Sequence, residues 1–404
     1  MHEGPHPLLV YLGLAVANRK ELQDLMPLRT IGYSQQQLTE VIRGIQKYQS
    51  YTRQREHFEL QKVWENETLT VVKPVGIKEP QDMIDTNPLL LVPSLINKAH
   101  IMDLAPERSL LRWLNENGVV AYLLDWGDLA ADEENKTMSL AQLLRNKLVP
   151  AVERLARMHA EKIDLLGYCM GGTLIAGAWH MMRKDVGKII FLATPWDFHA
   201  SAQTNDTAND TANDTEQAVE STVSPPQELS EMVKNWAPVV LPVIKEKKCL
   251  PKEYTQSLFA ALGAQSAVNK FIKFSGMGPA GAQADLFVKA EDWLNDGVDL
   301  PGRIAHECIQ GWFLDNEPAR GQWFVDDHCV NPAKFNAPCL IIAARKDALV
   351  SYPNACALHE QIAQEHRTLL APDTGHVGLI VGKNAIRDVW QPLLEWLHAS
   401  QSKA

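Results

Sequence analysis

The stretch "KIDLLGYCMGGTLIAG", residues 162–177, places Cys169 midway between Gly167 and Gly171. That is the spacing of a nucleophile elbow, in which a strand turns abruptly into a helix and the apex residue projects clear of the sheet. The flanking residues must lack bulk for strand and helix to approach, and Gly172 adds further room. The run "KIDLL" predicts the strand and "TLIAGAWHMM" the helix, so the spacing sits in its proper context. An elbow also leaves Cys169 at a helix N-terminus, where the positive end of the dipole favours an anionic sulfur.

A sulfur nucleophile needs a base and a group to orient that base. "APCLIIAARKDALV" predicts a strand that runs out at Asp347, and "HRTLLAPDTGHVGLIVG" one that ends in a Gly-flanked loop carrying His376. Of thirteen histidines, His376 alone has this setting. The chain order nucleophile, acid, histidine is that of α/β-hydrolase folds. Asp373 is a rival acid, but its place just before His376 suits it to shaping the turn. His376 would then take the thiol proton or hold the sulfur in an ion pair, while Asp347 fixes the imidazole tautomer. An oxyanion needs backbone donors. The Met170 N–H is one, and the loop "LVPSLINK" supplies the other, assigned to Leu95.

The elements that must position these residues begin near residue 87. "NPLLLVPSL", "GVVAYLLDW", "KIDLLGY", "KIIFLATP", "APCLIIAARKD" and "HRTLLAPDTGH" predict buried strands. Between them "ERSLLRWLNENG", "LAQLLRNKLVPAVERLARMHA" and "TLIAGAWHMMRK" predict helices, with Gly118 at a C-cap. Strands alternating with helices call for a mostly parallel sheet with helices on both faces. The rhythm breaks at 196–334, which predicts an inserted cap with helices in "PQELSEMVKNWAPVVL" and "DLPGRIAHECIQGWFL". Within it, 203–226 carries Asn-Asp-Thr repeats whose polar composition predicts a mobile loop. Residues 1–86 predict a helical N-terminal segment, with Ser34 capping "SQQQLTEVIRGIQKYQSYTRQ". The core is thus divided into 87–195, with the elbow, and 335–404, with Asp347 and His376.

Composition narrows the field. With 404 residues and 46% apolar content the chain can bury a large core. A net charge of -10 without a basic run excludes nucleic acid as a partner. Six scattered cysteines without a C-x-x-C pair read as reduced thiols of a cytosolic protein. The apolar run near the N-terminus follows Glu3 and no Lys or Arg, so it predicts a core helix rather than a signal peptide. No stretch has the length of a membrane span.

"PLLLVPSLINKAHIMDLAPERSLLRWL", "YLLDWGD", "GYCMGGTL", "TPWDF", "DNEPARGQWFV" and "DTGHVGLIVG" together resemble the polyhydroxyalkanoate synthases, from about residue 87 to the C-terminus. The resemblance implies polymerisation of (R)-3-hydroxyacyl-CoA into storage polyester with release of CoA. It places the family's catalytic cysteine, aspartate and histidine on Cys169, Asp347 and His376. It further implies no cofactor or metal, a cytoplasmic enzyme at the polymer granule surface, and a homodimer. The short N-terminal part is closer to the forms that act with a second synthase subunit. One departure is Ala348, where the family often has a histidine. The alternative reading is a cysteine-dependent α/β hydrolase: a thioesterase, a dienelactone hydrolase-like enzyme or a polyester depolymerase. CoA is polyanionic, and Lys98, Arg345 and Lys346 lie in loops near the expected mouth, where they read as ordinary surface charges rather than as its contacts.

Overall fold

The computed structural model describes residues 2, 4–5, 34–52, 59–77, 86–200, 229–262, 264–278 and 281–399. The repeat loop at 203–226 and the apolar run near the N-terminus lie outside these. An eight-stranded sheet forms the centre. Its strands are β1 (Leu60–Asn66), β2 (Leu69–Pro74), β3 (Leu89–Val92), β4 (Ala121–Asp125), β5 (Ile163–Tyr168), β6 (Val186–Leu192), β7 (Cys339–Ile342) and β8 (Arg367–Leu370). They lie in the order β1-β2-β4-β3-β5-β6-β7-β8. From β4 to β8 every pairing is parallel, and β2 joins β4 antiparallel. This is the α/β-hydrolase fold that the order of elements predicts.

The strands are apolar throughout because both faces are covered. All four residues of β3 are buried, and they alternate: Leu90 and Val92 join one core layer, Leu89 and Leu91 the other. The first layer is closed by α3, which runs through Leu140–Leu143, a wider turn at Leu144–Leu148 and Val149–His159, and by α4 (Met170–Met182). The second is closed by α2 (Leu110–Glu116) and α11 (Gln391–Ala399).

Residues 60–74, placed by the sequence reading within a helical N-terminal segment, are instead the β1–β2 hairpin on the edge of the sheet. Leu69 and Val71 alternate inward and are fully buried, a period-2 pattern in a β-branched run. The helical part of that segment is α1 (Gln35–Ser50), whose capping box joins Ser34 to Gln37. Helix α1 packs on the cap: Val41, Ile45 and Tyr48 share a small core with Phe271 and Phe274.

The cap follows β6 and holds α5 (Leu229–Lys247), α6 (Lys252–Leu262), α7 (Ala264–Ser275), α8 (Ala282–Asn295) and α9 (Gly302–Glu307, continued by a wider-turned Cys308–Leu314). Tryptophans link it to the core, where the Trp196 backbone and indole N–H groups donate to Asn354 and Gln361 at 2.7 and 3.0 Å. Trp323 lies edge-on to both Trp312 and Trp196, at centroid distances of 5.4 and 6.3 Å. After β7 comes α10 (Tyr352–Gln361).

Candidate active site

Cys169 occupies the turn between β5 and α4 with φ 55 and ψ -127, a conformation that L-residues adopt only under constraint. The constraint comes from close approach at the glycines. A Cβ on Gly171 would stand 2.1 Å from the Val92 carbonyl oxygen, and one on Gly172 1.9 Å from Thr194 Oγ1. A Cβ on Gly167 would meet the backbone of Gly172 at 2.4 Å. Strand, elbow and helix therefore fit only without side chains at these three positions.

His376 lies in the loop after β8 and Asp347 in the loop after β7. His376 Nδ1 stands 2.7 Å from Asp347 Oδ2, and the Asp347 side chain is wholly inaccessible. The other Asp347 oxygen, Oδ1, accepts from the Leu349 and Val350 N–H groups at 2.8 and 2.9 Å, which fixes the carboxylate. With Nδ1 turned to the aspartate, the imidazole hydrogen-bonds Cys169 as well. The Tyr168 ring lies 5.0 Å from the imidazole, and its hydroxyl donates to the His376 carbonyl at 3.4 Å. Burial is the largest single influence on the His376 pKa and works to lower it. The Asp347 carboxylate, the charge on the Cys169 sulfur and hydrogen bonds to both outweigh burial and push it up to about 10.

The three residues chosen from their spacing are thus brought together. Asp373, the rival acid, is ion-paired to Lys346 at 2.7 Å on the surface. Met170 opens α4 beside the sulfur, so its N–H belongs to the unpaired first turn of that helix. Leu95 is buried, and among the described residues its N–H makes no hydrogen bond; its neighbours Ser94 and Ile96 line the cavity above Cys169. Of the basic residues, Lys98 pairs with Asp296 at 2.9 Å and the Arg345 guanidinium lies 5.2 Å from the Tyr352 ring centroid.

The cavity measures about 570 Å³ and runs from the triad up into the cap. Its upper walls are largely apolar, with Trp236, Val240, Ile309, Trp312 and Phe313 among them. Ala348 stands in the wall beside His376. Farther along, Lys270 and Glu291 form an ion pair at 2.7 Å, with Glu291 almost fully buried.

Sequence reasoning passed over the clamps that hold this site, although the signal stood in the quoted blocks. In "MDLAPERSLLRW", Asp103 accepts from Ser109 Oγ at 2.7 Å and Arg112 Nε at 2.8 Å, bracing the start of α2. Trp126 of "YLLDWGD" donates to the Pro93 carbonyl at 3.1 Å and steadies the loop of Leu95. Asn316 of "DNEPARGQWFV" accepts from the Phe198 N–H at 3.0 Å and donates to Asp197 at 2.8 Å, so it holds the two ends of the cap together.

Comparison with known proteins agrees with the residue-level resemblance. The family "Poly-beta-hydroxybutyrate polymerase (PhaC) N-terminus" matches residues 61–114. The poly(3-hydroxyalkanoate) polymerase subunit PhaC of Haloarcula marismortui is 25% identical over 80% of this chain and 62% of its own length. The protein of the same name from Haloferax mediterranei is 24% identical over 76% of this chain and 58% of its own. The chain therefore spans about three fifths of those relatives. The Allochromatium vinosum protein of that name is 25% identical over 81% of this chain and 83% of its own length. Among solved structures, a bromoperoxidase from Bacillus anthracis is similar at a TM-score of 0.46 and 16% identity, covering 84% of this chain and 99% of that one. The chain is thus similar over about four fifths of its length to proteins named poly(3-hydroxyalkanoate) polymerase.

Proposed function

We propose that this relative of the polyhydroxyalkanoate synthases polymerises (R)-3-hydroxyacyl units from their CoA thioesters, carrying the chain as a thioester on Cys169. The observation that supports it most is a sulfur nucleophile in a buried Cys-His-Asp triad at the floor of a largely apolar cavity.

The cycle assigns each residue one task. The Cys169 sulfur, its proton held by His376, attacks the thioester carbonyl. The oxyanion is received by the Met170 N–H and by the unpaired N–H of Leu95. The carbon–sulfur bond to CoA breaks, and His376 returns the proton to the leaving sulfur. One thioester has replaced another, so the acyl group keeps its activation. His376 next takes the proton of an incoming 3-hydroxyl, whose oxygen attacks the acyl-enzyme; an ester forms and the Cys169 sulfur is released. With serine the acyl-enzyme would already be an ester, leaving little driving force for the second step. CoA is substrate and product in turn, and no cofactor enters.

Water is the competing nucleophile, and the tryptophan-fastened cap is suited to excluding it. Among the described residues no helix is long and apolar enough to cross a membrane. The product is insoluble in water, so the chain works at the surface of the polymer granule in the cytoplasm. The relatives' names call them subunits, which supports action together with a second subunit.

The test is incubation of the purified chain with 3-hydroxybutyryl-CoA, following CoA release and recovered polymer, beside Cys169→Ala. Both products from the wild type and neither from the variant are expected. CoA release with soluble hydroxyacid and no polymer sinks the reading in favour of a cysteine hydrolase.

A further inference from the structure

We infer that the growing polyester leaves the cavity through the cap, between α5 and α6, by a passage walled by Trp236, Val240 and Tyr254. This inference rests on the polymerase reading above.

The need for a passage follows from volume. About 570 Å³ lies within the range of clefts that hold one small ligand, roughly 300–1,000 Å³. A polymer outgrows such a space within a few units, yet its reactive end must stay at Cys169 while fresh CoA thioesters arrive at the same sulfur. The two streams differ in chemistry. CoA is a polyanion, and beside His376 the cavity lining includes the exposed Lys346, which pairs with Asp373 at 2.7 Å. The polyester is uncharged, with aliphatic stretches between ester carbonyls, and the Lys346–Asp373 pair offers it nothing.

A second pocket of about 360 Å³ lies against the first. It is lined by Trp236, Val239, Val240, Glu253, Tyr254 and Ser257, and Trp236, Val240 and Tyr254 also line the main cavity. The two spaces share a wall. The outer pocket opens to solvent at Val239, which is 66% exposed and the most exposed large apolar residue among those described. The shared wall carries no charge: Trp236 and Val240 offer apolar contact, and the Tyr254 hydroxyl can donate to an ester carbonyl.

The wall is also built to give way. Pro238 and Pro242 lie inside α5. Each lacks an N–H, so the helix loses the bonds back to the carbonyls of residues 234 and 238 and is disposed to kink there. The turn bearing Trp236 and Val240 therefore moves at less cost than an unbroken helix.

The test blocks the outer pocket without touching the inner cavity. Ser257→Trp and Val239→Trp change residues that line the outer space alone, and position 239 projects into solvent. Rapid-quench measurement of the first CoA release and the mass of the acyl-enzyme report on Cys169; the molar mass of extracted polymer reports on the passage. Both variants should show the wild-type burst of CoA with polymer shortened roughly tenfold or more, because exit limits elongation. Polymer of wild-type length from both variants overturns the passage. Loss of the first transfer together with the polymer in Val239→Trp overturns it too, since the block then lies at acylation. If the wild-type chain releases CoA without polymer, the polymerase reading fails first, before any variant is compared.

Discussion

Cys169 owes its presentation to backbone strain and its partners to burial. The linkage between His376 and stability has a definite sign. Its pKa lies above the ordinary 6.5, at about 10, so the charged ring stabilises the native state in full below pH 6.5. That contribution is lost as pH rises from 6.5 through about 10. The difference in urea midpoint between the wild type and His376→Gln should therefore shift against the wild type across this window. A flat difference would show that the imidazole is not held charged. Spacing and chain order made all three triad members legible, because an elbow and two strand ends are local features. The Leu95 N–H is of another kind: its lack of a partner appears only when every neighbouring carbonyl is in place.

At the level of the elements, α4 can approach the sheet only because Gly167, Gly171 and Gly172 leave room. Gly172→Ala should lower stability by about 1–3 kcal/mol through overpacking against Thr194, read as a drop in urea midpoint; an unchanged midpoint would mean that Thr194 moves aside freely. The strands after residue 87 were legible because parallel strands covered on both faces are continuous apolar runs. The β1–β2 hairpin was not. Gln61, Lys62 and Glu65, flanked by Glu59 and Glu67, make its first strand look like an exposed helix, and only the pairing of β2 with β4 gives the hairpin a role. The cap helices were legible as helices, but the cavity they enclose depends on side chains far apart in sequence.

Across the whole molecule, Trp196 ties the cap to Asn354 and Gln361 of the core, and the Asn316 bridge joins the two ends of the cap. Asn316→Ala removes two hydrogen bonds at a buried position, and leaving the Phe198 N–H without its partner costs about 1–3 kcal/mol. On the proposed function, loosening that seam should admit water to the acyl-enzyme. The expected result is a higher ratio of soluble hydroxyacid to polymer at nearly unchanged CoA release, measured by chromatography of both products; an unchanged ratio would show that another contact keeps the cavity dry. The motifs that tie this chain to the synthases are, for the most part, parts of this seam and of the loop beside Cys169. That explains why blocks without reactive residues carried so much of the resemblance.

The triad is assembled from the ends of β5, β7 and β8, and β7 and β8 are among the last strands of the chain. During synthesis Cys169 emerges with its elbow, and the entire cap is made before His376. Until β8 has docked in register beside β7, the chain carries only an ordinary thiol. On the proposed function, an unfinished or misregistered copy therefore lacks the base that acyl transfer needs, and activity toward acyl thioesters would report that folding has run to completion.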